Sequence, residues 1–377
     1  YSNSDLVASV RGPLDRGRWY TEATVGNRSH LYVAGGMTTG ADASAESTVS
    51  RIAYANDTVL TSPKGPLTRI SWQAGAVGNN DYGYIAGGGS VQPGPNSTTK
   101  IDRIDYANDN VIAVDKSNLA TPSEQMGMGA TGNPNYGYFG GGAISGSSTV
   151  SRIDYANDST TCVEKGNLSL ARTNFAATGN VNFGYFGGGW PPAKSTVDRI
   201  DYSVDTTTAV AKGPLDNARY DLAATGNSKG GYWAGGGGSV SHIERLDYDN
   251  DTVECAPRAK LSSGRDRFGG GSASENGAPL AKILQNSSIP TGADFGYMAG
   301  GYPGEISTLN RIDYSNDTTD AAPKGPLSGG RKYLTATSST THGYWMGGKD
   351  ASPATTSTVQ RLDYSSDTTV ASKGPLV

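Results

Sequence analysis

The 377-residue chain is short of most of what marks a reaction centre. It holds three histidines and two cysteines. It contains no Gly-x-Ser-x-Gly elbow, no Cys/His pair and no isolated pair of carboxylates, so neither enzyme activity nor a catalytic residue is expected. Positive charge is scarce as well. A formal net charge of −4 and a pI near 5.5, with no basic cluster, exclude a nucleic-acid groove. No apolar run approaches the length of a membrane span. Nor does any recurring stretch read as helix.

What the chain does have is glycine, 53 residues of it, set at fixed places in a repeat. A glycine signature, cleanest as Phe183-Gly-Tyr-Phe-Gly-Gly-Gly189, ends at Gly36, Gly88, Gly141, Gly188, Gly236, Gly301 and Gly348. A second signature, as in Arg199-Ile-Asp-Tyr202, begins at Arg51, Arg103, Arg152, Arg199, Arg245, Arg311 and Arg361. Successive arginines stand 52, 49, 47, 46, 66 and 50 residues apart. Fixed glycines at a period near 50 mean a repeat architecture, not disorder.

Residues 169–215 serve as the reference copy. Arg172–Thr178 reads as a slim strand a, closed by the turn Gly179-Asn180. Phe183–Gly189 is an aromatic strand b. Ser195–Tyr202 alternates as strand c, and Thr206–Ala211 is a β-branched strand d. Four short antiparallel strands cannot bury both faces alone and must stack on their neighbours. The fold class is therefore all-β, a seven-bladed β-propeller with four antiparallel strands per blade and strand a innermost. Length alone would suggest two or three domains, but one closed ring over 1–377 overrides that. The blades run over about 15–67, 68–119, 120–168, 169–215, 216–261, 262–327 and 328–377. The sixth carries an insertion at 274–290.

Strand d is present in eight copies, because Tyr1–Leu14 repeats Tyr364–Leu376. The turn Asp367-Thr368 directly follows a c strand, so the C-terminal copy, Thr368–Leu376, is expected to complete blade 7 as a local hairpin. Residues 1–14 are then the surplus copy. The start at Tyr1 rather than Met points to a processed product or a fragment. Cys162 and Cys255 fall on strand d of blades 3 and 5, too far apart for a disulfide.

A strand ending in Gly-Gly, a strand with tyrosine before a turn, and a Pro-Leu loop leading to arginine resemble the kelch repeat over the whole chain. The kelch tryptophan of strand d is absent, and Lys-Gly-Pro-Leu stands in that region (Lys64, Lys212, Lys324, Lys373). The wording of the repeat, as in Arg311–Thr318, is similar to kelch-like virion and tail-fibre proteins of marine bacteriophages. That resemblance implies a non-enzymatic recognition module on a virion, contacting host glycan or a partner subunit, with assembly into an oligomer left open. A secreted, lectin- or adhesin-like propeller is the alternative and a propeller enzyme a third. The expected location is a virion or the extracellular space.

Several repeated features carry scaffold readings. The Arg199/Asp201 pair, recurring in six blades, is expected to form an outward ladder with Lys212-type residues. The turn aspartates (Asp57, Asp109, Asp158, Asp205, Asp251, Asp317, Asp367) read as Asx-type turn formers and not as calcium ligands. The strand-c tyrosines (Tyr54, Tyr106, Tyr155, Tyr202, Tyr248, Tyr314, Tyr364) are expected to pack between blades with the hydroxyl on a rim partner. His30 and His342 share one position in blades 1 and 7, but zinc needs three or four ligands. No metal or cofactor is expected.

The b–c loops vary while the frame does not, and variation on one face is where binding is placed. The candidate site lies there. Arg18, Arg172, Arg219, Arg265 and Arg331 each follow the d–a loop leucine by four residues, which would ring the channel mouth with guanidinium groups. Trp19, Trp72, Trp190 and Tyr302 are expected beside them. Two readings stay open: the arginines satisfy nearby backbone carbonyls, or they hold an acidic glycan or an acidic loop of a partner.

Overall fold

The computed structural model describes residues 9–11, 14–20, 23–38, 45–56, 61–92, 94–120, 126–143, 145–272, 295–338, 341–350 and 355–364. The insertion at 274–290, Asp57, Asp367 and the strand expected at Thr368–Leu376 lie outside these residues. Within them stand seven four-stranded antiparallel sheets, one per repeat. In the reference blade strand a is Ala176–Gly179, b Phe183–Gly187, c Val197–Asp201 and d Val210–Ala211, hydrogen-bonded in that order. Strand a is thus shorter than expected, and Arg172 and Thr173 belong to the loop before it. In every blade strand a lies against strand a of the next, including blade 7 against blade 1, so the ring is closed with strand a at its axis. Among the described residues the helical content is two single turns, Tyr54–Asn56 and Tyr248–Asn250.

Ring closure differs from expectation. Strand d of blade 7 is the N-terminal segment Ser9–Arg11, which pairs antiparallel with Val359–Asp363 (Ser9 opposite Arg361, Arg11 opposite Val359). A local C-terminal hairpin would have cost less loop entropy. The N-terminal strand instead joins the two chain ends in one sheet, and Leu14 behind it is buried between blades 7 and 1.

The core is divided among the blade interfaces. Each of seven apolar clusters is built from two neighbouring blades, such as Tyr138, Phe175, Phe186 and Ile200 between blades 3 and 4. At every interface a strand-b tyrosine packs on the strand-c tyrosine of the next blade, with centroids 4.5 Å apart for Tyr185/Tyr248 and 5.2 Å for Tyr344/Tyr54. The strand-c hydroxyl points inward, not to the rim: Tyr202 Oη lies 3.1 Å from Thr131 Oγ1 on strand a of the preceding blade. A Cβ on Gly184 would meet that hydroxyl, which explains the glycine before the strand-b tyrosine in six of the seven blades, blade 1 having Leu31 there.

The turn aspartates do something other than form turns. Asp205 of blade 4 is buried and reaches back to blade 3, accepting from Tyr138 Oη (2.7 Å), Arg152 (2.7 Å) and Lys165 (3.0 Å). Asp109, Asp158, Asp251 and Asp317 repeat the latch, the last with Arg258 in place of lysine. Burial opposes ionisation of Asp109, Asp158 and Asp205. The tyrosine and lysine hydrogen bonds and the arginine charge outweigh it and hold all three below the usual carboxylate range. The expected outward ladder is therefore an inter-blade bond: Arg199 and Lys212 both bind Asp251 of blade 5. The Asx turn belongs to the aspartate at the end of strand c, Asp201, which accepts from the Ser203 N–H at 2.9 Å. The same latch accounts for Lys-Gly-Pro-Leu. Gly213 donates its N–H to the Asp251 carbonyl, and a Cβ there would overlap the Val253 carbonyl.

Candidate functional site

The five arginines do not line the mouth. All are buried, none more than 3% exposed. Each lies under the base of its own b–c loop, where the guanidinium fork adds donors to the carbonyls at the end of strand b and just before strand c, the latter already accepting one backbone N–H, as Thr48 does from Gly35 at 3.0 Å. Arg18 donates to the carbonyls of Gly35 and Thr48, both at 2.9 Å. Arg172 takes those of Thr196 and Phe186 and pairs with the buried Asp198 at 2.6 Å. Arg219, Arg265 and Arg331 repeat the arrangement. Burial lowers Arg18, Arg265 and Arg331 to about 10, so all remain charged at neutral pH. In blade 2 Arg69 reaches the equivalent carbonyls of Gly87 and Lys100 from two residues earlier in the loop, which a search at fixed spacing misses. Of the two open readings, the carbonyl-bonded arrangement is the one present.

The mouth is made two residues further on. Tyr20, Gln73, Gly127, Asn174, Asp221, Arg267 and Tyr333, one from each blade, all have φ between 52° and 62°. The left-handed turn lets six of them, from Gln73 to Tyr333, donate the N–H to the carbonyl of the counterpart in the preceding blade: Asn174 to Gly127 at 2.8 Å, Asp221 to Asn174 at 2.9 Å, Arg267 to Asp221 at 3.0 Å and Tyr333 to Arg267 at 2.9 Å. Six of the seven have a side chain, which is unusual at positive φ and is carried by this blade-to-blade bonding. These residues form the upper wall of a cavity of about 250 Å³ on the channel axis. Met128, Phe175, Leu222, Phe268 and Leu334 lie beneath them.

The cavity has two sides. On one, Asp221 pairs with Arg267 at 3.2 Å, and Asp266 lies 3.7 Å from Arg267. Burial pushes Asp221 up to about 6 against the pull of Arg267, with Asp266 adding to the rise. Asp266 is raised too, chiefly by burial. On the other side the rings of Tyr333, Tyr20, Trp19 and Trp72 follow one another, with centroids 4.4 Å apart for Trp19/Tyr20 and 4.7 Å for Tyr20/Tyr333. Trp19 and Trp72 each pack on Tyr20, a cavity residue that the sequence reading missed together with Tyr333. Trp190 and Tyr302 stand outside it, 42% and 40% exposed, Trp190 against Tyr220 and Tyr302 under Lys332. The signal that would have found Tyr20, Asn174, Asp221 and Arg267 is their constant offset of two from the scaffold arginine.

One trio, Asp216, His242 and Glu244, gathers three metal-capable side chains among the described residues. Both Glu244 oxygens are taken, one by the Arg219 guanidinium and one by the Asp216 N–H. The trio is the blade 5 version of the arginine anchor. His30 and His342 sit at the start of strand b in blades 1 and 7, as expected. Cys162 and Cys255 are buried and unpaired.

No family model matches the chain, and no curated protein matches it in sequence. Among solved structures, that of YjhT superposes with a TM-score of 0.56 over 78% of this chain and 95% of YjhT, at 12% identity. The fold is a seven-bladed β-propeller. At that identity the likeness extends to the fold alone.

Proposed function

We propose that this propeller is a non-enzymatic carbohydrate-recognition module that seats one neutral sugar ring in the cavity at its channel mouth. The observation that carries the reading is the side-chain set which the blade-to-blade backbone bonding holds in one place. Asp221, Asn174 and Gln73 accept hydroxyl hydrogens, Arg267 donates to ring and hydroxyl oxygens, and Tyr20 and Tyr333 offer aromatic faces to C–H groups. About 250 Å³ is below the range of drug-sized sites and suits a single pyranose. An acidic ligand lacks the support expected of it, because the arginine ring is engaged with carbonyls and Arg267 is already paired with Asp221. The biological setting we propose is a virion, as a tail-fibre or other surface protein contacting host glycan. This rests on the resemblance of the repeats and on their polar, Gly/Ser/Thr-rich composition. Docking of a partner subunit on the same face is the second reading, favoured by the exposed Trp190 and Tyr302. A glycan array separates the two. Binding of neutral glycans that is lost in Asn174→Ala supports the first, and an array with no binder removes it.

A further inference from the structure

Beside the funnel its rim is interrupted at blade 5. The b–c loop there is the shortest of the seven and reads Gly235-Gly-Gly-Gly-Ser-Val-Ser241. A side chain on Gly237 would run into the Tyr220 ring, whereas beyond Gly238 there is nothing within 4 Å. The loop is bonded down to the adjacent strand entry, Gly237 N–H to the Tyr220 carbonyl at 2.7 Å. Its two banks are aromatic. Trp190 of blade 4 is fixed by a two-way backbone pairing with Thr173, immediately before the cavity residue Asn174. Tyr302 of blade 6 is fixed in the same way to Asp266, immediately before the cavity residue Arg267. The Ser239 hydroxyl reaches the Tyr302 carbonyl at 3.5 Å, so the glycine loop abuts that bank. A low glycine-rich loop thus lies between two exposed rings, each paired through the backbone to the residue just before a cavity residue.

We infer that this trough extends the sugar site, and that the preferred ligand is a linear neutral oligosaccharide whose units beyond the first leave the funnel between Trp190 and Tyr302. The inference rests on the proposal that the cavity seats a sugar. Chemistry favours this occupant over an apolar peptide. The loop between the banks presents peptide groups and serine hydroxyls, and the Trp190–Tyr220 pair and Tyr302 are separate aromatic platforms on either side of it. The attachment of both banks next to the cavity residues Asn174 and Arg267 sets the direction, with one unit inside and the following units across blade 5.

The test uses one- to six-unit series of glucose, galactose, mannose and N-acetylglucosamine oligosaccharides, titrated against the whole chain and followed by tryptophan fluorescence. Affinity should rise about tenfold from monosaccharide to trisaccharide and then level off, the scale of one or two aromatic contacts. Trp190→Ala and Tyr302→Ala should each cost about three- to tenfold for the trisaccharide and leave the monosaccharide unaffected, with Trp190→Phe restoring most of the loss. Asp221→Asn should weaken every length alike. Equal affinity for monomer and hexamer, or trisaccharide binding untouched by both alanine variants, overturns the trough and leaves the cavity reading standing. Absence of binding across all series overturns both.

Discussion

Asp205→Asn tests whether the blades are held together as described. The substitution keeps volume and removes the charge that receives Tyr138, Arg152 and Lys165 from the neighbouring blade. The Tyr138 hydroxyl is fully buried and loses a charge-assisted bond, about 1.5–3 kcal/mol. Arg152 and Lys165 are 20% and 10% exposed, so both recover part of their hydration, and their loss is set at about 1–2 kcal/mol together. The expected total is about 3–5 kcal/mol. With an unfolding entropy of about 2.1 cal/mol/K per residue over 377 residues, that lowers Tm by about 4–6 °C. The control is Asp201→Asn, four residues earlier, whose carboxylate serves only an exposed turn and should cost under about 1 kcal/mol. Differential scanning calorimetry of both variants decides the matter. Equal melting temperatures for the two, or an Asp205→Asn protein as stable as the parent, would refute the latch.

The latch has a pH signature as well. Asp109, Asp158 and Asp205 are held below their unfolded values, so their contribution is complete above about pH 4 and disappears as pH falls through the lower folded values; acid unfolding of Asp205→Asn should be shallower than that of the parent. Asp221 has the opposite sign. With a folded value near 6, its ionisation destabilises the protein at neutral pH, and the stability of the parent relative to Asp221→Asn should rise as pH drops from 7 towards 4. Deleting residues 1–11 removes the strand that closes blade 7 and should lower Tm and speed proteolysis, whereas a closed ring with unchanged Tm would contradict N-terminal closure. Gly213→Ala, forced against the Val253 carbonyl, should leave little soluble protein; normal expression would contradict the close approach.

The sequence carried the architecture because each blade restates it. Seven arginine–tyrosine signatures and seven glycine ends fix the number of strands and their order, and the slim Ala176-Ala177-Thr178 stretch identifies the strand nearest the axis. What the repeat could not disclose is which blade a side chain serves. Arg199 and Asp201 alternate on one strand and look like a pair, yet Arg199 reaches Asp251 on the next blade. Depth is equally hidden. Arg172 and Asn174 are two residues apart and both repeat, but the first turns under a loop to satisfy carbonyls while the second, at φ 54°, faces the channel. Positive φ at residues other than glycine has no signature in composition, so the ring at the mouth went unread. The choice between two equivalent outer strands was decided by closure of the whole ring, an effect that local hairpin entropy does not contain.

The central claim is that the cavity residues bind while the arginines beneath them build. Calorimetric titration of the parent, Asp221→Asn and Arg172→Met with the tightest-binding neutral glycan from the array, together with their melting temperatures, tests it directly. Arg172→Met removes the cation paired with the buried Asp198 carboxylate, which keeps the Ser169 N–H, and one donor from each of two carbonyls, at a cost of about 3–5 kcal/mol. The account predicts that Asp221→Asn weakens binding at least tenfold at pH 7.5 without lowering Tm, and that Arg172→Met lowers Tm while its folded fraction binds as the parent does. Parent-like binding by Asp221→Asn, with binding lost and stability kept in Arg172→Met, would contradict it.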